Sequence, residues 1–422
     1  MDWQFFAEIL APLLLGLAVQ CYKRLAGGAR PMEPFLFLAA QLWLIHVCGF
    51  GTFAALSFVL VILGGYAVCA CKTSVSGRPL PYGLAALFIA YLGYWALEKY
   101  AVPLCSGGPF AASRSWAESF AAHVSPLAVV GISYMGFKLV HFHVDRNAGA
   151  IEKPNAIEVV NWLLFFPSIV AGPMQRFQDW QRQRAQSPAG LDDFVRGAEE
   201  LLLGLFMKFA LANGIRGFSL AALGPGPISI ASPRQLAVAA LIYPAYLYFD
   251  FAGYSNIAIG TGRFWGISLP ENFRYPYVSR NLAEFWNRWH ISLSQLLRDY
   301  LYYPISLALK RRAFFRSHTN FAAALPLILT FVTVGFWHGL TVGYIVYGFI
   351  HGVGLGYIAI TRRWKSESAF SRWWHSSKLG YLCAVLINYG YVAVSFCFFA
   401  LSDADLLILY QRWRHILPPI VR

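Results

Sequence analysis

Two histidines stand where a side chain could do chemistry inside an otherwise apolar chain. One is His338, in the sequence GFWHG, which has long uncharged runs on both sides. An ionisable side chain at membrane depth is costly to bury and is by default a functional candidate. A neutral imidazole, with an ordinary pKa of about 6.5, suits the removal of a proton from a hydroxyl. A structural histidine, hydrogen-bonded across a helix interface, fits the position equally well.

The other is His290, the last residue of FWNRWH. A continuous helix from Glu284 to Asp299 would place one set of polar side chains on a single face and a second set beside it. The first set is Glu284, Arg288, Ser292, Gln295 and Asp299, and the second is Asn287, His290, Ser294 and Arg298. The opposite face carries Trp286 and other apolar residues. Such a helix belongs at the cytoplasmic interface or in the wall of a wet channel. The alternative is an ordinary amphipathic surface helix, with an i,i+4 pair between Glu284 and Arg288.

The sequence lacks the motifs of several other catalytic mechanisms. The sequence contains no GxSxG, Walker, HExxH or CxxC motif, so serine-hydrolase, nucleotide-driven and zinc chemistry are not indicated, and we expect no metal site. His351 would lie on a different helix face from His338 and favours a structural role. The chemistry that remains is centred on a histidine inside a membrane cavity. Close helix or substrate approach there would be helped by Gly335, Gly339 and Gly343.

The elements that position these residues are membrane helices. The chain has 422 residues, of which 58% are hydrophobic and 13% charged, unlike a soluble domain. Its net charge of +14 comes from basic clusters between apolar segments, which is typical of cytoplasmic loops and not of a nucleic-acid-binding protein.

Apolar windows predict about ten or eleven spans. They lie near 5–20, 34–49, 51–71, 83–104, 126–143, 199–222, 235–257, 322–343, 344–361 and 380–401. The first is expected to be a retained helix, with the N-terminus outside the cytoplasm. Pro167 and Gly172-Pro173 interrupt the apolar stretch 161–177, which we expect to form a re-entrant hairpin beside a cavity.

Several ordered motifs carry a resemblance to a known family. They are YFDFAGYSNIAIG, PENFRYPYVSRN, EFWNRWHISLSQLLRDYLYYP, GFWHG and GFIHGVG, with GISYMGFKLVHFHVD and FFPSIVAGPMQRF upstream. In this pattern the chain resembles the membrane-bound O-acyltransferase (MBOAT) family over residues 120–361. The resemblance implies a single all-α integral membrane domain over 1–422, with N-terminal helices in 1–119, the catalytic core in 120–361 and a C-terminal helix and tail in 362–422. The helices would form a ring, with re-entrant and interfacial helices, around a central tunnel.

The resemblance also implies roles for individual residues. His338 corresponds to the catalytic histidine of the family and His290 to its second polar position. The tunnel or donor-binding residues would be Asn287, Arg288, Trp286, Glu284, Ser294, Trp337 and Asp250. No tightly bound cofactor is expected, since the donor is expected to bring a phosphopantetheine thioester on an acyl carrier protein.

The sequence mixes two bacterial types within the family. FWNRWH and the chain length favour Dlt-type D-alanyl transfer, whereas PENFRYPYVSRN and FFPSIVAGP resemble alginate-type O-acetyltransferases. Both imply a multi-pass protein of the bacterial cytoplasmic membrane and an extracytoplasmic glycan or lipid-linked polymer as acceptor. The carrier protein is expected to dock near Arg298, Lys310, Arg311 and Arg312. A transporter lined by the same helices, in which Asp250 would be an isolated carboxylate, and a non-catalytic scaffold are the rival hypotheses.

Overall fold

The computed structural model describes residues 3–26, 32–45, 132–151, 154–186, 188–361 and 376–413, and all regular structure within these ranges is helical. The windows predicted at 51–71 and 83–104 lie outside them. The α-helices are α1 Trp3–Leu25, α2 Glu33–Ile45, α3 Ile132–Asn147, α4 Ala156–Leu163, α5 Phe177–Arg184, α6 Leu191–Leu205, α7 Asn213–Arg216, α8 Pro225–Ile230, α9 Pro233–Phe264, α10 Leu282–Trp286, α11 Ile291–Leu297, α12 Tyr303–Lys310, α13 Ala313–Ser317, α14 Thr319–His338, α15 Val342–Thr361, α16 Lys378–Ala400 and α17 Asp403–Trp413.

Among the described helices, four are long and apolar enough to cross a membrane, namely α9, α14, α15 and α16. At a rise of about 1.5 Å per residue, a helix of 20 residues spans about 30 Å, the thickness of a bilayer core. The prediction of an all-helical membrane protein is confirmed. The chain folds as two compact units, the first formed by 1–203 with 255–270 and the second by 204–254 with 271–422.

The first unit contains the interrupted apolar segment. Helix α4 begins after Asn155, whose side chain accepts a hydrogen bond from the N–H of Ile157, and ends at Leu163, so the predicted interruption is confirmed. A 3-10 turn, Phe166–Ser168, follows, and backbone groups on both sides of the interruption bond to side chains of other helices. Gln41 accepts the N–H of Phe166 at 3.0 Å, and the ammonium of Lys138 donates to the carbonyl of Trp162 at 3.0 Å.

The second unit is built around a tight antiparallel hairpin of α14 and α15. A Cβ atom on Gly348 would lie 2.3 Å from the carbonyl oxygen of Phe331, and one on Gly352 would lie 2.7 Å from Cα of Ile328. From the first pair to the second, the residue number rises along α15 and falls along α14, as antiparallel packing requires. Glycine allows this close approach because it has no side chain to hold the backbones apart. His338 is the last residue of α14, so the chain reverses directly after it.

Helices α16 and α17 close the end of the unit at which the hairpin turns. The C-terminal end of α16 reaches the start of α15, since a Cβ atom on Gly343 would lie 2.4 Å from the carbonyl oxygen of Phe398. Helix α17 then packs on α8, where the guanidinium of Arg412 donates to the carbonyls of Ile228 and Ala231. The turn after His338, the start of α17 and helix α8 therefore share one end of the second unit.

Candidate active site

The imidazole of His338 lies in an aromatic surrounding and is half-buried. Its ring centroid is 4.5 Å from that of Trp337, 4.9 Å from Phe399, 5.7 Å from Tyr344 and 6.2 Å from Tyr347. Phe399 meets the imidazole edge-on, at an interplanar angle of 88°. These rings restrict the orientation of the imidazole, while part of its surface remains accessible for a reactant.

The turn after His338 is held by a carboxylate from another helix. Asp403 accepts hydrogen bonds from the backbone N–H groups of Val342 at 3.1 Å and Gly343 at 3.2 Å. These groups open α15 and would otherwise lack helical acceptors. A negative charge at a helix N-terminus is also favourable. The backbone beside His338 is thereby fixed. The close approach expected at Gly335 is confirmed, since a Cβ atom there would lie 2.4 Å from the carbonyl oxygen of Tyr344.

His290 lies in a break between two helices, and the predicted continuous helix over 284–299 is wrong. Helix α10 ends at Trp286, and α11 begins at Ile291. His290 adopts the left-handed conformation, with φ 44° and ψ 52°. For a residue other than glycine this costs about 1–3 kcal/mol and is found mainly at functional or tightly constrained positions. The helical period could not show the break, because the contacts that stabilise it come from a distant segment.

That segment is 272–274. The N–H of Ile291 donates to the carbonyl of Asn272 at 2.9 Å, and the N–H of Arg274 donates to the carbonyl of Arg288 at 2.9 Å. The side-chain Oδ1 of Asn272 accepts from the hydroxyl of Ser292 at 2.6 Å and lies 3.4 Å from Nδ1 of His290. The same oxygen accepts the backbone N–H of Ser292 at 3.3 Å. In the tautomer with the proton on Nδ1, the imidazole donates to this oxygen and Nε2 carries the lone pair.

The two predicted histidines interact electrostatically. Burial, and to a smaller extent the charge of His338, lowers the pKa of His290 to about 3. His290 is only 5% exposed and is therefore neutral at pH 7. The structure thus brings His290 and His338 into one region of the second unit, with different environments. One imidazole is buried and neutral, and the other lies partly open at a helix end.

Helix α9 forms a wall shared by the two histidines. Phe251 meets the ring of His290 edge-on at 4.8 Å. Two turns earlier, the ring of Tyr243 is 6.5 Å from that of Phe396, which lies 5.9 Å from Tyr347, a ring neighbour of His338. The mixed aromatic and hydroxyl character of this wall is compatible with a narrow substrate passage.

His351, in contrast, belongs to a closed structural network. The indole N–H of Trp286 donates to Nδ1 of His351 at 3.2 Å, and Nε2 of His351 lies 2.9 Å from the hydroxyl of Ser395. That hydroxyl donates to the carbonyl of Val392 at 2.8 Å. The network joins α10, α15 and α16, and both ring nitrogens are occupied. It also commits Trp286, a predicted tunnel residue, to a structural contact.

The other polar residues predicted near His290 make local hydrogen bonds. Glu284 accepts from the guanidinium of Arg288 at 2.7 Å and from the N–H of Arg280 at 2.9 Å. Asn287 accepts from Arg298 at 3.3 Å, and the hydroxyl of Ser294 donates to the carbonyl of Trp289 at 3.2 Å. These bonds stabilise the helix break, and the predicted roles of these side chains toward substrate remain predictions.

Asp250 is not an isolated carboxylate, which corrects the expectation from the sequence. It forms an ion pair with Lys208, and the two side chains are 38% and 29% exposed. Lys208 lies in a π-helical segment, Phe206–Ala212, whose backbone is approached closely by Gly253. Neutralisation by a partner is how a carboxylate at membrane depth is tolerated.

Sequence reasoning missed three residues of this region: Asn272, Lys208 and Tyr344. Asn272 stands inside PENFRYPYVSRN, so the motif contained it, but its pairing with His290 depends on the tertiary fold. Lys208 stands in an otherwise apolar stretch of the sequence, which does not indicate its ion pair with Asp250. The basic residues predicted to receive a carrier protein, Arg298, Lys310, Arg311 and Arg312, are all exposed.

Comparisons of the sequence with known proteins point to one family. A model of the membrane-bound O-acyltransferase family matches residues 89–402, more than half of the chain. A probable alginate O-acetylase of Azotobacter vinelandii is 34% identical over 259 residues, which cover 58% of this chain and 49% of that protein. A teichoic acid D-alanyltransferase of Streptococcus thermophilus is 34% identical over 52% of this chain and 54% of that protein. One from Bacillus subtilis is 28% identical over 69% and 75%. The chain spans about half the length of the alginate O-acetylase it matches.

Proposed function

Because the chain belongs to the membrane-bound O-acyltransferase family, we propose that it transfers an acyl group from a thioester donor to a hydroxyl of a cell-envelope polymer. The observation that supports this most strongly is the paired environment of the two histidines. His338 is half-buried at the end of α14, and the buried, neutral His290 lies within its electrostatic range. A reactive base beside a second, non-ionised imidazole suits acyl transfer between two bound substrates.

In the proposed reaction, His338 is the general base. It takes the proton of the acceptor hydroxyl while the oxygen attacks the thioester carbonyl and forms a C–O bond. The tetrahedral intermediate then collapses, the C–S bond breaks, and the departing thiolate receives the proton from the imidazolium. The products are an ester and a thiol, and His338 is regenerated. Base catalysis of this kind contributes about 10² to 10⁴ in rate.

His290 has a different proposed role. Its pKa of about 3 makes it a poor proton acceptor at neutral pH, and its protonated Nδ1 points to Asn272. The lone pair on Nε2 can accept a hydrogen bond from a substrate hydroxyl or amide N–H but cannot donate one to an oxyanion. We therefore assign His290 to substrate orientation, and oxyanion stabilisation to other groups.

The donor is a phosphopantetheine thioester on an acyl carrier protein. The exposed basic residues Arg298, Lys310, Arg311 and Arg312 support this, and the last three shortly precede α14 in the chain. Carrier proteins are acidic, so complementary charge would accelerate docking. Basic loops mark the cytoplasmic side. The protein would thus be a multi-pass protein of the bacterial cytoplasmic membrane, taking its donor from the cytoplasm and its acceptor from the opposite side.

Two acyl groups are candidates. A D-alanyl group is favoured by FWNRWH and by the alignment with the Bacillus subtilis teichoic acid D-alanyltransferase, which covers 75% of that protein. An acetyl group is the second candidate, favoured by identities of 34% and 37% to alginate O-acetylases. We place the D-alanyl group first because the longer alignment includes more of the helices that would bound the site.

The experiment is transfer in proteoliposomes. The purified protein would receive D-alanyl or acetyl thioester on a phosphopantetheinylated carrier protein, with a polymer acceptor, and ester formation would be followed by mass spectrometry. D-alanyl ester in the polymer is the expected product, and acetyl ester would support the second candidate. If neither forms, while solutes cross the membrane, the transporter hypothesis replaces acyl transfer.

A further inference from the structure

The second unit contains a cavity that the proposed reaction does not account for. It has a volume of about 520 Å³ and lies where the chain between α7 and α8 meets the start of α9. Residues that line it include Phe218, Pro227, Arg234, Gln235 and Val238. Its walls therefore combine apolar and aromatic surface with one permanent positive charge, which is the composition of a small-ligand or sugar site and not of a lipid-facing groove alone.

The charge balance of the cavity is positive. Arg234 is exposed, and its guanidinium makes no ion pair among the residues described for this chain. Arg216, which directly precedes the lining residue Gly217, is also exposed and has no ion-pair partner in the same ranges. A guanidinium binds carboxylate and phosphate groups through two parallel hydrogen bonds. The occupant that fits this charge is an anionic one.

The cavity lies at the end of the unit that carries His338. Helix α8, which contributes Pro227 and Ile230, packs on α17, and the first residue of α17, Asp403, holds the turn after His338. Along α9, the lining residue Ala239 is one turn, or about 6 Å, before Tyr243. The ring of Tyr243 is 6.5 Å from that of Phe396, which lies 5.9 Å from Tyr347, a ring neighbour of His338. A ligand in the cavity would thus lie at the same end of the unit as the base.

The geometry points to this cavity as a binding site for an anionic repeat of the acceptor polymer, with Arg234 as the residue that selects the charge. The inference rests on the proposed acyl transfer. Carboxylate groups of a polyuronate and phosphate groups of a teichoic acid share the chemistry that Arg234 recognises. Binding one repeat there would hold the polymer at the end of the unit that carries His338.

Binding of labelled oligomers to the detergent-purified full chain tests the site. The probes are a hexauronate, an oligo(glycerol phosphate) of similar length and a neutral hexaglucan, each measured in 50 mM and 500 mM salt. Wild-type protein should bind one or both anionic probes more tightly than the neutral one, with the preference reduced in high salt. The anionic probe that binds more tightly identifies the polymer class.

The Arg234→Gln variant should weaken anionic binding about 10-fold and leave neutral binding unchanged, while Arg196→Gln, a matched exposed arginine on α6, should have no effect. Equal binding by Arg234→Gln and wild type, equal binding of neutral and anionic probes, or displacement of the oligomers only by anionic lipid would overturn the site. Arg234-dependent binding without acyl transfer would contradict the proposed function alone. Transfer with unchanged acceptor KM in Arg234→Gln would contradict the site alone.

Discussion

The Nδ1 atom of His290 lies 3.4 Å from the Oδ1 atom of Asn272, across a break between two short helices. The same oxygen accepts the hydroxyl of Ser292, so Asn272 contacts both the imidazole and the start of α11. A buried imidazole with a defined tautomer can orient a substrate without exchanging protons with it. Asn272 is therefore a positioning residue for the site.

Replacing Asn272 by alanine should lower acyl transfer about 10- to 100-fold, because His290 loses the partner that sets its tautomer. Ser292→Ala is the matched control, since it removes a hydrogen bond to the same oxygen but keeps the contact with His290. Initial rates on the carrier-bound donor would be compared for both variants at equal expression and thermal stability. Equal losses in the two variants would show that Asn272 acts only through the fold.

The low pKa of His290 predicts a stability that depends on pH. An unfolded histidine binds a proton below about pH 6.5, whereas folded His290 does so only near pH 3. Stability is therefore complete above pH 6.5 and is lost as the pH falls toward 3, by at most about 2 kcal/mol at pH 5.

His290→Asn removes the titrating group and tolerates the left-handed backbone. The decrease in Tm between pH 7.5 and pH 5 should be smaller in this variant than in wild type, measured by tryptophan fluorescence in detergent. Parallel pH profiles for the two proteins would show that His290 does not titrate as described.

The glycines of α15 predict a contrast between two alanine substitutions. In Gly348→Ala the new Cβ would lie 2.3 Å from the carbonyl oxygen of Phe331, so α14 and α15 must separate, at a cost of about 1–3 kcal/mol. In Gly390→Ala, on α16, the Cβ would meet nothing within 4 Å, and helix propensity favours alanine by about 1 kcal/mol. Thermal unfolding should show a lower Tm for the first and an equal or higher Tm for the second. A similar Tm for both would contradict the close packing of the hairpin.

The ion pair of Lys208 and Asp250 predicts non-additive effects. Lys208→Met or Asp250→Asn alone leaves one charge without its partner in a helix at membrane depth, which is strongly unfavourable. The double variant carries neither charge. Its loss of stability should be smaller than the sum of the single losses by about 1 kcal/mol or more, as measured by a thermal double-mutant cycle. Additive losses would mean that the two charges do not interact.

Local sequence patterns predicted the helical class and the four described membrane helices; they also singled out the two histidines, whose roles remain predictions. GFWHG and FWNRWH were informative because a histidine among apolar residues is rare and costly. The patterns failed where distant residues decide the structure. The helical period continued through His290, whose left-handed conformation depends on Asn272, and nothing near Asp250 indicated Lys208, 42 residues away. A periodic pattern contains only local information, whereas these contacts require the tertiary fold.

In the proposed reaction, His338 removes the proton from the acceptor hydroxyl. The most direct measurement is the initial rate of acyl ester formation by His338→Ala in proteoliposomes, with His318→Ala, an exposed histidine just before α14, as the matched control. The rate should be about 10² to 10⁴ lower for His338→Ala and unchanged for His318→Ala. A correctly inserted His338→Ala protein that transfers the acyl group within twofold of the wild-type rate would contradict the proposed role of His338.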